Sequence, residues 1–262
     1  MAEVRGVTPK EALALEGRVA LVTGASRGLG RALALALGAA GAAVACAARS
    51  VEGVEDTAAR IREAGGQARA FALDVTQGDQ IAATVAAVEQ GLGSLDILVN
   101  NAGINLEKRF VELTDEDWEG ILGTNLTAMF RCCRAVAPSM IARGRGKIVN
   151  IGSMWGRLGV PRYSAYCVSK AGVDALTRCL AIEWARHNIQ VNCVAPGYLR
   201  TDFSREKMME PRIRDLILSK IPARRMGEPD EMGPLAVYLA SSASDFMTGQ
   251  TVYIDGGETV TW

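Results

Sequence analysis

"TGASRGLG", residues 23–30, ends the short apolar run "RVALVTG" (18–24) and leads directly into helix formers over 29–40. A strand that finishes in glycines and turns at once into a helix decides how the rest of the chain is read. Glycines at 24, 28 and 30 allow a sharp turn, a close approach of backbone to a pyrophosphate, and a helix start whose amides face phosphate groups. The spacing is G-x-x-x-G-x-G rather than G-x-G-x-x-G, and a glycine loop alone can be a plain turn. Its place between a first strand and a helix favours dinucleotide binding.

Working outward, apolar runs at 42–48, 68–75, 95–103, 146–153, 189–197 and 250–257 bring the strand candidates to seven. Between them, 29–40, 54–64, 79–91, 115–143, 163–187 and 229–241 carry apolar residues at spacings of three and four. Strands apolar on both faces and joined by helices imply a parallel sheet covered on both sides, an α/β fold. The organisation expected is an irregular tail over 1–16 and a single domain over 17–262. The segment 198–227 breaks the alternation after a strand end, where open α/β sheets bind ligands, and reads as a substrate lid.

With 262 residues, 49% hydrophobic and 22% charged, the chain can bury a sizeable core. Its 29 basic and 29 acidic side chains cancel, so no global field favours nucleic acid or an anionic membrane surface. The uncharged run 32–48 is broken by Gly38 and Gly41 and reads as helix, turn and strand rather than a membrane span. No charged start followed by an apolar stretch and cleavage site is seen, so a cytoplasmic protein is expected. The six cysteines form no C-x-x-C pair and His187 is the lone histidine, which argues against a zinc site and for reduced thiols.

Selection of NAD would place Asp or Glu at the end of the second strand; NADP needs a cation there. The second strand ends Ala47-Ala48-Arg49, and Arg27 stands inside the glycine loop. The missing acid and the two guanidinium groups favour NADP(H).

Tyr163 and Tyr166 both precede Lys170 in "RYSAYCVSKAG" (162–172). On a helix, Tyr166 and Lys170 are one turn apart on one face, whereas Tyr163 lies roughly 10 Å of rise from the lysine. A neighbouring ammonium favours phenolate and draws the Tyr166 pKa down toward the working pH, which suits proton transfer to or from a carbonyl oxygen. Tyr163 reads as a helix-start or pocket-wall residue. Ser153, ending the fifth strand, can hold a substrate oxygen, and Asn125 in "GTNLTAMF" can anchor a water chain to the lysine.

Taken together, "TGASRGLG", Asp74 in "LDV", "NNAG" (100–103), Asn125, Ser153, "YCVSK" and "APG" (195–197) resemble the ordered motif set of the short-chain dehydrogenase/reductase family, over roughly residues 16–262. The resemblance implies a Rossmann-type, doubly wound sheet and hydride transfer between a ketone and a secondary alcohol. It implies Tyr166 as general acid/base, Ser153 orienting the carbonyl, Lys170 on the nicotinamide ribose, and Asn125 supporting a proton relay. Gly24, Ser26, Arg27, Gly28, Leu29 and Gly30 would then hold the pyrophosphate and, with Arg49, the 2'-phosphate. Asp74 and Val75 would lie near adenine. Asn101, Ala102 and Gly103 would line the cleft, with Pro196, Gly197 and Thr201 near the carboxamide. Met154, Trp155, Tyr163 and Tyr198 would join Ser153 around the substrate. No metal is implied, and a homotetramer is implied, built through the helices at 115–143 and 163–187 with the tail "ETVTW" near a neighbour.

The lid and C-terminal stretches are similar to those of gluconate 5-dehydrogenases, which implies a keto sugar acid as substrate. Glu107 departs from the basic residue expected there, with Lys108 and Arg109 only adjacent. The 3-oxoacyl carrier-protein reductases share nearly every motif and stand as the alternative, a 3-oxoacyl thioester. A nucleotide sensor built on the same fold would lack Ser153, Tyr166 and Lys170. The lid carries eight basic residues (Arg200, Arg205, Lys207, Arg212, Arg214, Lys220, Arg224, Arg225) against four acids (Asp202, Glu206, Glu210, Asp215). Met208, Met209 and Ile213 are expected to give it apolar cover over the site, with its arginines attracting an anionic substrate.

Overall fold

The computed structural model describes residue 6 and residues 8–201 and 209–261. Its strands are β1 (Val19–Thr23), β2 (Ala43–Ala48), β3 (Gln67–Ala72), β4 (Leu95–Asn100), β5 (Gly146–Ile151), β6 (Ile189–Pro196) and β7 (Thr251–Ile254). Helices α1 (Pro9–Leu13), α2 (Gly28–Ala39), α3 (Val51–Glu63), α4 (Gly78–Leu92), α5 (Asp115–Leu122), α6 (Ala128–Arg143), α7 (Ser164–Trp184), α8 (Pro211–Lys220) and α9 (Gly233–Ala240) accompany them. The strands pair in parallel in the order β3-β2-β1-β4-β5-β6-β7, so the chain reverses its direction of travel across the sheet between β1 and β4. That switch point opens a crevice at the carboxyl ends of the strands.

Every residue of β1, β4, β5 and β6 is buried, as expected of strands covered on both faces. Alternation along each strand then divides the core. Leu21, Leu98, Ile148 and Val191 pack with Ile81, Met140 and Val173 from α4, α6 and α7. Ala20, Val22, Ile97 and Val149 pack with Leu33, Ile61 and Leu239 from α2, α3 and α9. The uncharged run 32–48 is the end of α2, a turn with Gly41 at φ +100°, and β2. No helix among the described residues is long and apolar enough to cross a membrane.

The structure departs from the sequence reading in three places. Within the expected irregular tail, Thr8 and Glu11 form a reciprocal capping box that starts α1, and Leu15 is buried with its N–H on the Ala40 carbonyl at 2.8 Å. The helix expected over 115–143 is interrupted by a wide turn, Gly123–Thr127, with π-type hydrogen bonding. In the lid, α8 buries Ile217 while Met209 is 77% exposed, so Met209 is not the apolar cover expected of it. The expectations for Asp202, Arg205, Glu206, Lys207, Met208 and Trp262 lie outside the described residues. The segment's ends are stapled together: Arg200 N–H donates to the Gly227 carbonyl at 2.8 Å and Gly227 N–H to the Tyr198 carbonyl at 3.0 Å.

Glycines in the β1–α2 connection answer to different constraints. A Cβ on Gly30 would be driven into the Gly24 carbonyl oxygen and the Asn101 amide, whereas one on Gly120, exposed in α5, meets nothing within 4 Å. Gly30→Ala should therefore cost about 2 kcal/mol or more, and Gly120→Ala should stabilise by about 0.5–1 kcal/mol, both read from denaturant midpoints.

Candidate active site

The crevice is floored by the β1–α2 loop. Arg27 precedes α2 in extended conformation and no side chain caps the helix, in contrast to α3, where the Ser50 hydroxyl accepts from Gly53 N–H. The first-turn amides of α2 are thus left for an external acceptor. Gly28, at φ +53°, has only Thr201 near its missing Cβ, at 3.7 Å, so the loop surface is open and Thr201 lies across from it. Loop and helix end together fit the pyrophosphate of a dinucleotide.

The loop is held from β4. Thr23 Oγ1 accepts from Asn101 N–H at 3.0 Å and Ala102 N–H at 3.1 Å, and Asn101 Nδ2 donates to the Thr23 carbonyl at 2.9 Å and the Gly24 carbonyl at 3.2 Å. Asn101, expected to line the cleft, spends its side chain on the glycine loop, and Thr23 is a partner the sequence reading missed. At the far rim Arg27 and Arg49 are exposed and neither is in an ion pair among the described residues. Asp74 accepts from Thr76 N–H at 2.9 Å and Thr76 Oγ1 at 2.7 Å, which with the nearby Arg49 charge holds its carboxyl below the usual range. Val75 beside it is buried. At the end of β6, Pro196 is buried and Gly197 N–H donates to the Ile254 carbonyl at 2.9 Å; a Cβ there would stand 2.6 Å from Asp255 Cα.

Beyond β5 the structure brings Ser153, Tyr166 and Lys170 together. Ser153 caps a short turn, accepting from Trp155 N–H at 3.1 Å, and its hydroxyl acts on the Tyr166 phenol. Lys170 Nζ donates to the Ile151 carbonyl at 2.7 Å and stands 5.7 Å from the Tyr166 ring centroid. Tyr163 begins α7 from outside the helix and turns its hydroxyl away, to Glu107 Oε2 at 2.5 Å, while Arg162 reaches Glu107 Oε1 at 3.3 Å. Glu107, where a basic residue was expected, is thus joined to the pocket wall through Tyr163. Trp155 forms the centre of that wall, with ring centroids 4.7 Å from Tyr163, 5.8 Å from Tyr166 and 5.9 Å from Tyr198. Met154 is buried behind it.

One expectation reverses. Burial pushes the Tyr166 phenol up to about 12, with the Ser153 hydroxyl pulling the other way, so the lysine does not bring the phenol down. The reason is geometric: the ammonium is aimed at the Ile151 carbonyl, and burial draws the lysine itself down to about 8.

Asn125 sits in the wide turn between α5 and α6, fully buried. Its Oδ1 accepts from Ile104 N–H at 2.8 Å, and its Nδ2 donates to the Ile104 carbonyl at 2.9 Å and Ser169 Oγ at 3.1 Å. Ser169 in turn donates to the Tyr166 carbonyl at 2.7 Å. Among the described residues its protein contacts run to Ile104 and Ser169, with Gly103 packed 3.2 Å from its Oδ1 by way of a missing Cβ. The π turn is what swings the amide to both partners, and only the irregular "GTNLT" composition hinted at it.

A parallel sheet in this order, with a phosphate-cradling loop at its switch point and a half-buried phenol next to a buried amine and hydroxyl, defines a Rossmann-type dinucleotide-binding oxidoreductase class. A family model described as Enoyl-(Acyl carrier protein) reductase matches residues 24–259. The chain is 40% identical over 246 residues to gluconate 5-dehydrogenase of Gluconobacter oxydans, covering 94% of this chain and 96% of that one. It is 40% identical over 245 residues to a 3-oxoacyl-[acyl-carrier-protein] reductase of Pseudomonas aeruginosa, covering 94% and 98%. A crystal structure of gluconate 5-dehydrogenase from Burkholderia cenocepacia in complex with NADP and tartrate superposes with a TM-score of 0.94 at 39% identity, covering 97% of this chain and 100% of that one. The chain belongs to the short-chain dehydrogenase/reductase family.

Asn125→Ala would remove the part-buried bonds to the Ile104 N–H and carbonyl and the buried one to Ser169 Oγ. A loss of about 2 kcal/mol in stability, alongside lower activity, is expected from a thermal melt of the ligand-free protein.

Proposed function

We infer that the protein is an NADP(H)-dependent enzyme interconverting a ketone and a secondary alcohol, with Tyr166 as general acid/base. The observation carrying this reading is the meeting of Ser153, Tyr166 and Lys170 at the end of β5, with the Lys170 amine on the Ile151 carbonyl and 5.7 Å from the Tyr166 ring centroid. When bound, the cofactor supplies or accepts the hydride. Ser153 orients the substrate oxygen; Tyr166 gives its proton to that oxygen in reduction and takes it back in oxidation. A phenol raised to about 12 is fully protonated at neutral pH, so it is loaded for reduction. Lys170 holds the nicotinamide ribose, and Asn125 fixes the turn of α7 that carries Tyr166 through Ser169. The open α2 amides and the two rim arginines, in no ion pair among the described residues, support NADP(H), as does the NADP in the Burkholderia cenocepacia relative.

For the substrate we favour a keto sugar acid of the gluconate type. The support is the likeness to gluconate 5-dehydrogenases and an aromatic pocket wall of Trp155, Tyr163 and Tyr198. A 3-oxoacyl thioester is the second reading, favoured by the equally similar carrier-protein reductase. NADPH oxidation against keto sugar acids, 3-oxoacyl thioesters and hydrophobic diketones separates the two. Phe130 on α6, and Val168 and Ile182 on α7, leave exposed apolar surface that suits the proposed homotetramer. We place the enzyme in the cytoplasm.

Tyr166→Phe keeps the ring and loses the proton. Turnover should fall about 100-fold or more with the cofactor dissociation constant nearly unchanged, while Tyr163→Phe is much milder. Arg49→Asp should weaken NADPH binding and improve NADH relative to it, measured by fluorescence titration; unchanged preference would count against the rim arginines as the 2'-phosphate site.

A further inference from the structure

Helix α7 buries a stripe that includes Ala165, Ser169, Val173 and Thr177, and two charged residues share it: Lys170 and, one turn later, Asp174. A spacing of four makes them neighbours on one helix face. Their exposures are 4% and 8%, so little water lies between them and the core. Asp174 is held from the sheet. Its Oδ1 accepts from Thr251 Oγ1 on β7 at 3.1 Å, while the Cys193 thiol on β6 donates to the Val194 carbonyl. The same Oδ1 lies 3.5 Å from where a Cβ on Gly152 would stand. Gly152 links Ile151, whose carbonyl takes the lysine proton, to Ser153. The carboxylate therefore lies under the strand end from which both Lys170 and Ser153 are positioned.

A carboxylate in the apolar stripe of a helix is costly unless a counter-charge is close, and a hydroxyl is a modest donor. The charged and titratable groups around the pair are few. On α7 they are Tyr166 and Arg178, on β6 Cys193, on β7 Tyr253, and in the turn after β5 Arg157, which lies over the Tyr253 ring at 5.7 Å. Burial pushes both Tyr166 and Cys193 up to about 12, which leaves them neutral at physiological pH. Arg157 and Arg178 act on Tyr253. Asp174 is left as the negative group that acts on Lys170.

We propose that Asp174 is a positioning residue whose carboxylate holds the Lys170 amine as an ammonium, keeping the Tyr166–Lys170 pair competent through the neutral and mildly alkaline range. The proposal rests on the enzymatic reading above. The sign follows from opposed forces on the lysine: burial draws its pKa down to about 8, while Cys193, were it ionised, and Asp174 draw it up, and of these two only Asp174 is a carboxylate. A neutral side chain at 174 removes the upward pull, so the ammonium is lost at lower pH.

The test has a readout that needs no substrate. In ligand-free protein carrying 13C-labelled lysine, the Lys170 Cε resonance, assigned by its absence in Lys170→Met, should titrate about one unit lower in Asp174→Asn than in the wild type. The alkaline limb of the kcat/KM profile should move down with it. Thr251→Val, which removes a hydrogen bond and no charge, should move either midpoint far less. If Asp174→Asn does not fold, Asp174→Ser carries the same comparison. A folded variant with an unmoved lysine midpoint, or with activity lowered equally at every pH, would overturn the proposal and leave Asp174 a packing residue. Wild-type protein inactive on the whole carbonyl panel would instead overturn the enzymatic reading, and the NMR midpoint would still decide whether Asp174 sets the charge of Lys170.

Discussion

The bond from Lys170 Nζ to the Ile151 carbonyl ties the longest helix of the fold to the end of a central strand. An amine removed from water must find acceptors, and the open carbonyl beyond the last rung of β5 is one that a parallel sheet always offers at its carboxyl edge. With that bond made, α7 cannot slide along or turn over β5, and Tyr166, one turn earlier, is delivered to Ser153. The chemistry of the site thus depends on a scaffold contact that involves no reacting atom.

The cofactor side of the crevice depends on a comparable economy. The β1–α2 loop approaches β4 so closely that a side chain on Gly30 would collide with the Gly24 carbonyl, and the Asn101 amide fills the remaining gap. Asn101 and Thr23 satisfy the Thr23 and Gly24 carbonyls and the amides of Asn101 and Ala102 just past β4, and the Arg27 side chain makes no bond to the α2 amides. A buried chain of amides continues inward: Asn100 Nδ2 donates to Asn150 Oδ1 at 3.0 Å, and Asn150 Nδ2 to Thr177 Oγ1 at 2.9 Å. β4, β5 and α7 are registered by it, which keeps the loop and the Tyr166 turn in a constant relation.

Local rules made the fold and much of the site legible. Period-two and period-three-to-four patterning located the strands and most helices, since burying a stripe or a face is a demand each segment makes alone. The four-residue step from Tyr166 to Lys170 singled out one tyrosine of two, because helical rise is independent of context. Even α1 was open to reading, in the Thr8 and Glu11 spacing of its capping box.

What the chain by itself determined, then, was the order of its elements, the glycine loop with its companion arginines, and which hydroxyls and amine could meet. Tertiary structure alone decided the direction of the Tyr166 shift, the diversion of Asn101 to the glycine loop, the linking of Tyr163 to Glu107, and the bond from β7 Thr251 to Asp174. The physical reason is shared by all four. Desolvation and hydrogen-bond choice are set by groups brought together from β1, β4, β6, β7 and α7, and no local pattern along the chain encodes how deeply such a meeting is buried.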